Sequence, residues 1–184
     1  MTEFKLPEID LNAHKNARGH ALIVAGSKEK SGAAVLSSLA CMRAGVGLTT
    51  LALPSAAHTI IKSQLINIMS EEIPSDEHSL FDSSGIEKLI SVTKGKTAVL
   101  MGPGLTPDKN RKKWVEKTLA SIEVPFVLDA QALSDLGPQI NEINWSKSTA
   151  VITPHEGEMS KLTGLTSDQI HSDRENVAKT HALK

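Results

Sequence analysis

The chain has 184 residues, with 20 Lys plus Arg against 21 Asp plus Glu, 40% hydrophobic residues and 22% charged ones. That is the composition of one ordinary globular domain, not of a disordered chain. A formal charge of −1 excludes the basic face of a nucleic-acid binder, and no long apolar or basic amphipathic run marks a membrane binder.

Only 3% of the residues are aromatic and none is Tyr, so the core has to be built from Leu, Ile, Val and Ala, which suits α/β layers. The single cysteine, Cys41, cannot form an internal disulfide, and the start Met1-Thr2-Glu3-Phe4-Lys5-Leu6-Pro7 has neither the basic opening nor the apolar run of a signal peptide. A cytoplasmic chain is expected. Cys41 reads as a small helix residue rather than a nucleophile, because no His or acid shares its predicted face.

In chain order, Ala21-Leu22-Ile23-Val24-Ala25, closed by Gly26-Ser27, predicts a buried parallel strand ending in a turn. Val35, Leu36, Leu39 and Met42 recur at helical spacing over 32–44, with Gly45 as the stop. Residues 48–53 form a second strand ended by Pro54, Ser55 caps a helix reaching about residue 63, and 65–69 is a weaker third strand. The acidic stretch 71–84 reads as a surface loop, and Ile86, Leu89 and Ile90 mark a helix over 85–92.

Ala98-Val99-Leu100-Met101 is the next strand, stopping at Gly102-Pro103-Gly104. A charged amphipathic helix over 108–122 carries Trp114, Val115 and Leu119 on one side, and 124–128 is a strand closed by Asp129. A short strand over 150–152 precedes a helix over 156–163 and a polar helix from 167 onward. The alternation predicts an α/β fold: a mostly parallel sheet, helices on both faces, right-handed crossovers.

In such sheets ligands bind beyond the carboxyl ends of the strands. Four predicted strand ends carry unusual residues: Gly26-Ser27 with Gly32-Ala33-Ala34, Gly102-Pro103-Gly104, Asp129-Ala130-Gln131, and Thr153-Pro154-His155-Glu156-Gly157-Glu158. Generic nucleotide motifs fail. Gly26 and Gly32 enclose five residues and Ala33 follows, which is not a P-loop, and no third glycine completes a dinucleotide fingerprint. No second His completes a zincin helix.

The chemistry of these residues leaves alternatives open. Asp129 either caps a helix starting at Ala130 or meets a ligand hydroxyl, since a strand-end carboxylate is costly without a partner. His155 either caps a surface turn or offers a hydrogen bond to a polar ligand. Glu158 is a first-turn acid that complements the helix dipole, or part of the same crevice. Gly102-Pro103-Gly104 admits close approach of backbone to a ligand, or simply turns the chain.

Taken together, Lys15-Asn16-Ala17-Arg18-Gly19-His20, the strand through Gly26-Ser27, Gly32-Ala33-Ala34, Arg43-Ala44-Gly45-Val46-Gly47, Met101-Gly102-Pro103-Gly104-Leu105, Leu128-Asp129-Ala130-Gln131-Ala132-Leu133 and Thr153-Pro154-His155-Glu156-Gly157-Glu158-Met159 resemble, in order, the ADP-dependent NAD(P)H-hydrate dehydratase family of the ribokinase-like superfamily. The resemblance implies removal of the hydroxyl from the S epimer of hydrated NADH or NADPH, with ADP (or ATP) and Mg2+ and release of AMP and phosphate. It also implies work beside an NAD(P)H-hydrate epimerase. Carried over by position, it sets Ala34, Gly104 and His155 against the hydrated nicotinamide nucleotide, with Asp129 and Glu158 shaping the same crevice.

Two positions depart from the family pattern: Asn16 stands for the glycine usual after the lysine, and Gln131 for a second acid. The family's Gly-Gly-Thr-Gly-Asp segment, which supplies the catalytic aspartate and the phosphate cradle, has no counterpart in the sequence. On that resemblance, residues 1–184 read as a single, incomplete ribokinase-like domain that keeps the substrate side and leaves a sheet edge open to association, a homo-oligomer included. The alternatives are an inactive nicotinamide-dinucleotide-binding remnant and a small-molecule kinase of the hydroxymethylpyrimidine or hydroxyethylthiazole type.

Overall fold

The computed structural model describes residues 12–121, 123–145 and 149–182. Its strands are β1 (His20–Val24), β2 (Leu48–Pro54), β3 (Met69–Ile73), β4 (Ala98–Met101), β5 (Phe126–Leu128) and β6 (Ala150–Ile152). They pair in the order β3-β2-β1-β4-β5-β6, every neighbour parallel. The helices are α1 (Ser31–Arg43), α2 (Ser55–Lys62), α3 (Ser83–Thr93), α4 (Arg111–Ala120), α5 (Gln131–Leu136), α6 (Glu156–Thr163), α7 (Ser167–Ser172) and α8 (Arg174–Ala182). This is the α/β architecture the alternation predicted.

Strand side chains alternate between the two faces of a sheet, and a parallel sheet has to bury both. Leu22 and Val24 point into one cluster with Val99, Met101, Trp114, Phe126 and Leu128. Ile23 and Ala25 point into the other with Leu51, Leu53, Ala57 and Ile61. Each cluster is closed by helices of its own side, so β1 and β4 sit in the middle of a doubly wound sheet.

Several boundaries differ from the sequence reading for identifiable reasons. The third strand is Met69–Ile73, not 65–69; Leu65 and Ile68 are buried beneath α1 and α2 in the second cluster. As an edge strand β3 tolerates charge: Glu71 pairs with Lys88 at 3.2 Å and Glu72 with His58 at 3.5 Å. The loop expected over 71–84 therefore begins later. Ser55 is the first helical residue, not the cap, and its hydroxyl bonds Ser75 instead. On α1 the small residues Ala34 and Ser38 face the sheet, while Leu36 is 71% exposed. The polar C-terminal helix breaks at Asp173 into α7 and α8.

The chain winds from β1 through β2 to β3 on one side, then from β4 through β5 to β6 on the other. Connections leaving β1 and β4 diverge, and this switch point opens a crevice at the carboxyl edge. At the far end of the sheet, β6 has no neighbour on its outer side among the described residues, and Val151 is 50% exposed.

His20, at the amino end of β1, bonds Thr50 Oγ1 at 2.8 Å. Burial, and secondarily the Lys96 charge, hold its imidazole below the ordinary value of 6.5. The folded chain thus binds fewer protons there than the unfolded one. Its contribution is full above pH 6.5 and is lost as pH falls through the depressed folded value. The urea midpoint should drop between about pH 7 and about pH 5, and His20→Gln should drop less over that window; parallel denaturation curves read the difference.

Candidate functional site

The crevice is built by two loops that bond each other. Gly26, just after β1, donates its N–H to Pro103 O at 2.9 Å, and Gly102, just after β4, donates to Val24 O at 3.0 Å. Gly26 takes φ +89° and Gly102 takes φ +132°. The second is the more demanding, because a Cβ on Gly102 would lie 1.8 Å from Asp129 O. Only glycine permits that approach.

Gly104 seats the β4 loop on the first turn of α1: a Cβ there would come within 2.7 Å of both Ala33 Cβ and Lys30 O. The N-cap of α1, Lys30, makes no side-chain cap and the first turn holds no acid, so backbone N–H groups at this helix start lack side-chain acceptors. Ala34 lies beneath, fully buried, where a Cβ on Gly26 would meet it at 2.8 Å. It is the floor under the first loop rather than an exposed contact.

Asp129 follows β5, its N–H bonded to Met101 O at 3.1 Å. The helix cap considered for it does not form: α5 begins at Gln131, Ala130 is its N-cap, and no side chain caps it. The half-buried carboxylate has no hydrogen-bond partner among the described residues. Ala130 takes φ +50° and ψ −121°, a backbone conformation an alanine holds only under constraint from its surroundings.

Thr153, after β6, donates its N–H to Leu128 O at 3.2 Å. His155 then caps α6. Its Nδ1 accepts from the N–H of Gly157 at 3.0 Å and of Glu158 at 3.4 Å, while Glu158 Oε2 accepts from the His155 N–H at 3.0 Å. This reciprocal box satisfies both orphan donors. With Nδ1 accepting, a neutral ring carries its proton on Nε2, which lies 3.4 Å from Glu158 Oε1. The Glu158 side chain is 7% exposed and the His155 ring 74%. His155 faces outward, and Glu158 holds it from below.

The strand order therefore lines up Gly26, Gly102 to Gly104, Asp129 and Thr153 to His155 along one rim. A cavity of 770 Å³ opens between His155, Thr153, Glu156 and Arg174, and a groove of 640 Å³ follows the outer side of β6 past Trp145 and Val151. At the mouth of the first, His171 and Arg174 bond Glu156 and hold its carboxyl below the ordinary range.

Sequence reasoning missed two parts of this site. The loop after β3 reaches across the rim, with the Lys28 N–H donating to Ser79 Oγ at 3.4 Å and Thr106 Oγ1 to His78 O at 2.9 Å. Asp76 shapes it by accepting the N–H groups of His78 and Leu80, a local turn signal in an otherwise featureless polar stretch. The other is the buried pair Arg111 and Asp135, 2.9 Å apart, which no spacing in the sequence announced.

A parallel sheet in this order, with glycine loops and a half-buried carboxylate along its carboxyl edge, defines a doubly wound α/β protein. The NAD(P)H-hydrate dehydratase family model matches residues 21–184, and the chain belongs to that family. It is 31% identical over 178 residues to the bifunctional NAD(P)H-hydrate repair enzyme Nnr of Moorella thermoacetica, covering 97% of this chain and 34% of that protein. It is 28% identical over 181 residues to the ADP-dependent (S)-NAD(P)H-hydrate dehydratase of Bacillus subtilis, 97% of this chain and 59% of the relative.

The crystal structure of the Bacillus subtilis ADP/ATP-dependent NAD(P)H-hydrate dehydratase with ATP/Mg2+ superposes with a TM-score of 0.78 at 27% identity, over 96% of this chain and 58% of that one. A ribokinase-like protein of Enterococcus faecalis shares the fold at TM-score 0.74 and 20% identity. The chain thus spans about a third of the Moorella bifunctional relative and under two thirds of the Bacillus dehydratase.

Gly102→Ala should unfold the rim. It is expected to cost about 2–4 kcal/mol, against about 1 kcal/mol for Gly95→Ala, where φ is +74° but nothing lies within 4 Å. Urea denaturation of the two variants measures the contrast.

Proposed function

We propose that this chain forms the hydrate-binding side of an ADP-dependent (S)-NAD(P)H-hydrate dehydratase, which returns hydrated NADH or NADPH to the reduced cofactor. One observation carries the reading: the half-buried Asp129 carboxylate, without a hydrogen-bond partner among the described residues, stands just after β5 at the carboxyl edge of the sheet. In this reading the dinucleotide lies across the rim. Gly104 and the buried Ala34 hold the loops beneath it, Asp129 accepts a hydrogen bond from a ligand hydroxyl, and the exposed His155 ring, set by Glu158, offers a polar contact.

The reaction converts a hydroxyl into a leaving group. The hydroxyl oxygen attacks a phosphoryl group of ADP and loses its proton, and AMP departs; phosphate then leaves with the C–O electrons while the adjacent ring carbon gives up a proton, whose C–H electrons become the ring double bond. ADP, or ATP, is the phosphoryl donor in this proposal, accompanied by Mg2+. Among the described residues no group of three or more His, Cys, Asp and Glu is placed to hold a metal. Magnesium commonly rides on nucleotide phosphates with few protein ligands. The proposal includes an NAD(P)H-hydrate epimerase as partner, association into a homo-oligomer through the open β6 edge, and a cytoplasmic setting. No helix among the described residues is long and apolar enough to cross a membrane.

Titrating the S epimer of hydrated NADPH should give saturable binding that Asp129→Ala weakens roughly tenfold, as expected for loss of a charged hydrogen bond. Reduced-nicotinamide absorbance recorded with ADP and magnesium in parallel assigns turnover. ADP-dependent recovery supports the dehydratase, a stable phosphorylated product supports a kinase, and binding without either supports a binding module.

A further inference from the structure

The Arg111 and Asp135 side chains are 3% and 8% exposed, and the chemistry proposed above uses neither. The guanidinium Nε donates to Asp135 Oδ2 at 2.9 Å and Nη2 to Thr106 O at 2.6 Å. Its carbon lies 4.4 Å above the Trp114 ring centroid, a favourable cation–π stack. Asp135 Oδ2 also accepts the Asp108 N–H at 3.0 Å, and the Trp114 indole donates to Asp108 Oδ2 at 2.7 Å. The other carboxylate oxygen, Oδ1, accepts from Gln131 Nε2 at 2.7 Å. Burial holds the proton affinity of the guanidinium below its ordinary value, and the Asp135 charge and hydrogen bond oppose that only in part.

A buried ion pair is weak evidence for stability, because desolvation offsets much of its attraction. Its geometrical effect is plainer. Arg111 and Thr106 belong to the start of α4 and the loop that begins at Gly102, while Gln131 and Asp135 belong to α5, which begins immediately after Ala130. The pair thus joins two segments that meet at the Gly102 to Asp129 contact. Ala130 sits in a left-handed conformation without help from a cap, and such a residue persists only where its surroundings over-determine it. Gln131, the first residue of α5, donates to Asp135 from the position directly after that turn.

We propose that Arg111, Asp135 and Gln131 form a positioning device that holds the turn at Ala130, and through it sets the Asp129 carboxylate at the crevice mouth. They touch no ligand. Gln131 serves better here than a second acid, which would face the Asp135 carboxylate across a hydrogen-bond distance.

The test uses the full chain and two variants, Gln131→Ala and the double substitution Arg111→Met with Asp135→Leu, which replaces the pair by apolar bulk so that neither charge is left buried alone. Hydrogen exchange at Asp129, Ala132 and Ser134, whose N–H groups bond Met101 O, Asp129 O and Ala130 O, should quicken about tenfold while Leu22 and Ile23 in β1 keep wild-type rates. Unchanged exchange at the turn, or equal acceleration in β1, overturns the proposal.

The second arm rests on the reading of Asp129 as a hydrate contact. Gln131→Ala should weaken binding of hydrated NADPH roughly tenfold with Asp129 present and less than about twofold in the Asp129→Ala background. Equal loss in both backgrounds means a merely structural role and overturns the proposal. If Asp129→Ala leaves affinity unchanged, the hydrate reading fails, and the exchange result alone decides the positioning device.

Discussion

The absence of a side chain at Gly102 is the constraint on which the rim depends. Because its α-carbon can lie against the Asp129 carbonyl, where a Cβ would fall 1.8 Å away, the β4 and β5 loops share one layer instead of two. Gly102 also donates to the end of β1, and Gly26 answers by donating to Pro103. Three strand ends are thereby brought into one surface. In doubly wound sheets ligands bind at the switch point between diverging connections, beyond the carboxyl ends of the strands.

Fixing that surface has a local cost at Ala130, whose left-handed backbone has to be held by its neighbours. The buried Arg111 and Asp135 pair lies one helical turn away and reaches the same segment through Gln131. The ion pair, the strained turn and the Asp129 carboxylate, which has no hydrogen-bond partner among the described residues, thus follow one another along this segment. His155 belongs to a separate one: α6 is capped by the exchange of bonds between His155 and Glu158, and its ring is set independently of α5.

The fold was readable where physics is local. Runs such as Ala21 to Ala25 and Ala98 to Met101 are apolar throughout because both faces of a central parallel strand are buried, so period and length identified them. β3 was misplaced because an edge strand need bury only one end of itself; Met69-Ser70-Glu71-Glu72-Ile73 looks like loop, and the more apolar residues before it belong to a connection. The α1 face was read in part. Ala34 and Ser38 are its most buried residues, the predicted Val35 and Leu39 pack beside them, and of the predicted set only Leu36 turns outward.

Of the site, glycine positions and strand-end polar residues were visible, and the family resemblance ordered them. What the sequence hid was pairing over distance. Ala130, not Asp129, is the N-cap of α5, the Glu158 carboxylate bonds the His155 N–H, and Ala34 lies against Gly26, none of which any spacing encodes. The most direct measurement is a two-dimensional amide NMR titration of the chain with the S epimer of hydrated NADPH. The account predicts shifts concentrated at Gly26, Gly102, Gly104, Asp129 and His155. Shifts confined to the β6 groove around Trp145 and Val151, with the rim silent, would contradict it.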